Sequence, residues 1–139
     1  MRAREVEGLE PRGALRPNAA LIVRTRLDEL RAFADDALSP DAEASQHEMR
    51  IAAKRLRYVL ELFAPCFGEE ADAARRAAKD LQSALGNLHD CDIMLPKVEG
   101  IPSLAAVLRA RRARLFGEFV ELWQSEASKG TWAALEAAL

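Results

Sequence analysis

Residues 45–63, SQHEMRIAAKRLRYVLELF, decide the fold. Ser45 followed three residues later by Glu48 has the form of a capping box. In that motif each side chain satisfies a free backbone N–H of the first helical turn. From there Met49, Ala52, Ala53, Leu56, Val59, Leu60 and Phe63 recur at the spacing of one helical face, and Pro65 and Gly68 end the run. The other face is unusual. His47, Arg50, Lys54 and Arg57 stack along one stripe, Arg55 lies on its flank, and Tyr58 lies beside it. Like charges at these spacings repel by about 0.2–0.5 kcal/mol per pair. Only Glu61 continues the stripe with the opposite sign. Such a stripe is either a solvated surface neutralised by acids from other helices or a site for a strongly anionic ligand. The capping box also puts His47 in the first turn, near unpaired N–H groups and the positive end of the helix dipole, where anions bind.

The same periodicity extends outward. Residues 1–17 carry Gly8, Pro11, Gly13 and Pro17 among charges and read as a flexible arm. A first helix is expected from about Asn18, as cap, to Leu38. A third runs from about Glu70 to Leu95, a fourth from about Ser103 to Ser125, and TWAALEAAL adds a last turn or two. Pro96, Gly100 and Pro102 mark the turn between the third and fourth. Four amphipathic helices with short breaks and no strand signal predict an all-α, antiparallel four-helix bundle over residues 18–139.

The third helix aligns Lys79, Gln82 or Ser83, Gly86, then His89 and Asp90 opposite its leucines. Gly86 costs about 1 kcal/mol relative to alanine inside a helix, and it lets a second helix or a ligand come close. Asp92 falls toward the apolar side and needs a partner. Arg112 projects amid Leu108, Leu115, Phe119 and Trp123, with Arg109 at the border. Arg112 either pairs with an acid such as Asp92 or is aimed at a ligand between helices.

Bulk properties limit the function. The 139 residues carry a formal net charge of −2, which gives no support to duplex DNA binding. Cys66 and Cys91 have no metal-ligand spacing and are expected to be reduced. His89, Asp90 and Asp92 do not point two ligands at one ion, so no metal or cofactor is expected. The stripe lacks the interleaved aromatics of a single-strand binder, so nucleic acid is not the expected partner. No signal peptide or membrane span is read, and a cytoplasmic location is expected. A histidine phosphotransfer module, with His47 as phosphoacceptor and Arg50 beside it, is the alternative function.

HEMRIAAKRLRYVLELFAPCFG, followed after a gap by KDLQSALGNLHDCDIML, resembles the CHAD family of histidine-containing α-helical domains. The motif H-x-x-R-x-x-x-[KR]-[KR]-x-R is matched by His47, Arg50, Lys54, Arg55 and Arg57. The motif L-Q-x-x-L-G with a short acidic segment is matched by Leu81, Gln82, Leu85, Gly86, Asp90 and Asp92. Both have the form of the second of the two repeats such proteins usually carry. The resemblance implies non-catalytic binding of inorganic polyphosphate through His47, Arg50, Lys54, Arg55 and Arg57, with Tyr58 beside them. Lys79, Arg109 and Arg112 join as further members. It also implies half of a two-bundle arrangement whose basic surfaces face a shared channel, rebuilt by a homodimer or used as a half-site. Association with polyphosphate granules would follow.

Overall fold

The structure, a computed structural model, describes residues 2–139. Its helices are α1 (Leu15–Ala37), α2 (Glu43–Leu62), α3 (Glu69–Val98), α4 (Pro102–Lys129) and α5 (Thr131–Ala138), with a short 3₁₀ turn, Ala64–Cys66, after α2. The all-α expectation holds: among the described residues there are four long helices and the short α5. The segment TWAALEAAL forms α5 because Gly130, at φ 72°, turns the chain back after α4. This buries Trp132 and Leu135 in the common core, and Trp132 stacks on Trp123 with ring centroids 5.8 Å apart. Arg31 pairs with Glu136 at 2.8 Å, and Arg16 donates to the carbonyl of Ala138 at 3.0 Å, tying α5 to α1.

The core is a layer of leucines with Phe119 and Met49. Leu27 and Leu30 from α1 meet Leu56 and Leu60 from α2, and Leu81, Leu85 and Leu88 from α3. α3 packs against α2, α4 and α5, so it is the hub of the fold. Among the described residues no helix is long and apolar enough to cross a membrane.

Two expected caps are replaced. α2 starts at Glu43, two residues before Ser45, with Ala42 as cap and no side-chain capping bond. Buried Gln46 closes the α1–α2 turn instead, donating to the carbonyls of Ser39 (2.9 Å) and Ala37 (3.2 Å). Asn18 is not the cap of α1. Helix α1 begins at Leu15, and Pro17 is accommodated in its first turn, where an N–H has no intrahelical acceptor. Asn18 fastens the N-terminal segment by exchanging hydrogen bonds with the backbone of Glu10 at 2.7 and 2.9 Å. The same segment reaches buried Glu29 through the backbone N–H of Arg4 at 3.3 Å. α3 also runs three residues past Leu95, through Pro96, so that Val98 is still buried.

Candidate functional site

α2 and α3 lie antiparallel, with His47 against His89 at one end of their seam and Arg50 against Gly86 one turn further on. Beyond that turn the seam opens into a groove of about 300 Å³. Arg50 and Arg57 from α2, and Lys79, Gln82, Ser83 and Asn87 from α3, line it; Asp90 closes one side. The two sequence stripes, each set opposite its own leucines, thus meet along one seam.

Gly86 is what lets Arg50 lie there. A Cβ at residue 86 would stand 3.3 Å from Arg50 Nε and 3.9 Å from Cζ, so the guanidinium rests over the bare backbone of α3. The close approach expected at this glycine is made by an arginine side chain. Arg50 has no ion-pair partner among the described residues, and its buried Nε has no hydrogen-bond partner. The buried Gln82 Oε1 is likewise unpartnered. Buried polar groups are normally satisfied, so Arg50 keeps a donor that the fold itself does not use.

The remaining predicted residues divide. Arg57 lines the groove, pairs with Glu61 at 3.4 Å, and lies over the Tyr58 ring at 4.7 Å from its centroid. Exposed Lys54 stands 5.7 Å from the same ring and has no ion-pair partner among the described residues. Tyr58 therefore serves as a shared platform that keeps two cations near each other despite their repulsion. Lys79, a further member by the resemblance, lines the groove.

Arg55 turns away. It meets fully buried Glu29 of α1 at 3.2 Å, in a node that also holds Arg26 and the backbone of Arg4. A buried carboxylate needs such partners, so Arg55 is held by the fold.

Arg112 takes the paired alternative. Its fork grips Asp92 while Nη2 donates to Gln46 Oε1 and Nη1 to the Pro40 carbonyl, both at 2.7 Å. The hydrogen bond to Asp92 raises its guanidinium above the ordinary arginine value against the opposing effect of burial, and the charges of Asp92, Glu43 and Asp41 add to the rise. This knot joins the α1–α2 turn, α2, α3 and α4 and commits most of the Arg112 fork to the fold. Arg109 lines a separate cleft of about 480 Å³ with Asp41, Glu43, Leu95 and Phe116, so the structure does not bring it into the groove.

His47 lies one turn deeper than the capping box implied, because α2 starts earlier. Its ring stacks on His89 at 4.4 Å between centroids and 23° between planes, and its Nδ1 is buried without a hydrogen-bond partner. His89 stands on the same α3 stripe as Lys79 and Gly86, but the sequence alone does not say that it faces His47. Among the described residues no group of His, Cys, Asp or Glu is arranged to hold a metal, and both cysteines are free.

The lining can neutralise and hydrogen-bond an extended anion: two guanidinium groups, an ammonium, two amides and a hydroxyl face one trough. No curated protein and no solved structure matches the chain. The CHAD domain profile matches residues 6–99, a span that begins inside the N-terminal segment and takes in α1, α2 and α3 with both sequence motifs. With more than half of its length so matched, the chain belongs to the CHAD family.

Proposed function

We propose that this chain binds inorganic polyphosphate, or a polyanion of the same kind, in the α2–α3 groove without chemically altering it. One observation carries the reading: Arg50, with no acidic partner, lies over Gly86 at the floor of a groove that Arg57 and Lys79 also line. Arginine forks match phosphate oxygens bidentately, and Lys79 adds a point charge. Affinity comes from a fixed row of cations and the release of counterions, and falls steeply with salt. The binding set is His47, Arg50, Lys54, Arg57 and Lys79, with Tyr58 as platform; Arg55, Arg109 and Arg112 are left out on their contacts. Membership of the CHAD family supports the same ligand. The bundle then acts as half of a two-bundle arrangement, a second copy supplying the other groove, in a cytoplasmic protein that polyphosphate granules would attract.

The test is a titration with long-chain polyphosphate at several salt concentrations. Charge reversal at Arg50, Lys54 and Arg57 together abolishes binding with helicity retained, while Arg109→Ala leaves affinity within about twofold. Lys79→Ala weakens binding and lowers the salt slope by roughly 0.7, one contact of a single-stranded polyanion. Undiminished affinity in the triple variant would overturn the assignment of the groove.

A further inference from the structure

The seam does not end at Arg50. On α2 the next stripe position is His47, and on α3 the next after Gly86 is His89, one helical turn or about 5 Å along. Both rings reach the seam and stack face to face at 4.4 Å. Two imidazolium ions cannot sit at that separation without repelling strongly, so the pair resists carrying two charges unless an anion is present. The surroundings sharpen this. A cavity of about 430 Å³ opens at the stack, lined by Glu43, Ala44, His47, His89, Asp92 and Ile93.

The charged groups facing the pair come from each element around it. On α3, Asp92 is already gripped by Arg112 of α4, and Asp90 points to the groove. On α2, Glu43 is exposed at the cavity rim, Glu48 adjoins His47 in sequence with contacts of its own, and Arg50 lies one turn on. In the α1–α2 turn, Asp41 lines the neighbouring cleft beside Arg112. α1 meets α2 through Glu29 and Arg55, on the far flank. Neither imidazole forms an ion pair among these groups, and the buried Nδ1 of His47 meets no acceptor.

We propose that His47 and His89 together form a proton-coupled subsite at the end of the groove, one that takes up a proton when a phosphate group of the polyanion settles against the pair. This rests on the groove being the polyanion site and adds His89 as a ligand-contacting residue. The step is simple: an imidazole nitrogen accepts a proton from solvent, and the bound phosphate oxygen supplies the countercharge. Histidine is the side-chain type whose charge change falls in the physiological pH range, so this pair is where a pH dependence of binding would arise.

The experiment measures affinity of the whole chain for long-chain inorganic polyphosphate from pH 5.5 to 8.5 at fixed salt. It is paired with calorimetry in two buffers of different ionisation enthalpy, which counts protons directly. Long chains are used because their few titrating end groups contribute little. The expected result is affinity rising roughly tenfold from pH 8 to 5.5, with net proton uptake on binding. His89→Gln and His47→Gln each flatten that profile to within about twofold, with circular dichroism reporting that the helices persist. A wild-type profile that is flat, with no proton uptake, overturns the subsite while leaving the groove intact. Uptake that survives His89→Gln overturns the assignment to the pair. No binding at any pH overturns the groove itself.

Discussion

The guanidinium of Arg50 lies on the backbone of Gly86, at a distance a Cβ would cut to 3.3 Å from Nε. The contact links a helix-weakening residue on α3 to a cation on α2, and it separates binding from stability in a way that can be measured.

Gly86→Ala is expected to lower polyphosphate affinity about three- to tenfold by lifting Arg50 off its seat. The displaced group is the flexible end of a side chain, so relief is cheap. The gain in helix propensity is worth up to about 1 kcal/mol. Thermal melting should show a chain as stable as the parent or slightly more so. A variant that loses stability and keeps its affinity would show Gly86 to be a packing requirement only.

The Arg112 knot bears on stability. Arg112→Met leaves Asp92, Gln46 and the Pro40 carbonyl without their donor and is expected to destabilise the fold by about 3 kcal/mol. Asp92→Ala costs less, because Arg112 keeps Gln46 and Pro40. Urea unfolding checks both.

Acid should loosen α5. The hydrogen bond and charge of Arg31 hold the Glu136 carboxyl below its ordinary value of 4.5. A carboxylate depressed in the folded state contributes stability above its unfolded value, and that contribution is lost as pH falls through the lower folded value. The tie between α5 and α1 is therefore intact at neutral pH and weakens below about pH 4.5. Fluorescence of the stacked Trp123 and Trp132 should report it, and Glu136→Gln should remove that part of the acid response. An identical acid profile in the variant would place the transition elsewhere.

Much of this was legible in the chain because periodicity is a strong signal. The apolar stripe from Met49 to Phe63 and the leucines of α3 gave the right elements facing the right way. The stripe of Arg50 and Arg57 and that of Lys79 and Gly86 could each be read alone. Their meeting could not, because it depends on the antiparallel register of two helices. Capping failed for a local reason: Ser45 and Glu48 fit a motif, but Gln46 closes the turn better by satisfying several carbonyls and Arg112 at once. Arg55 fitted the family motif, yet buried Glu29 sits 26 positions away and no local pattern announces such a pair. The tail was read as a last turn or two, and the eight residues of α5 make about two turns; what the chain did not announce is that Gly130 turns them back onto the core.

The antiparallel seam of α2 and α3 is also a ruler. From His47 to Arg57 the helix rises about 15 Å. A pyrophosphate cannot touch both ends, whereas a polymer of modest length can lie along the whole row. Under the proposed function, further length leaves past the ends of the row, so a long enough chain would carry several of these domains like beads.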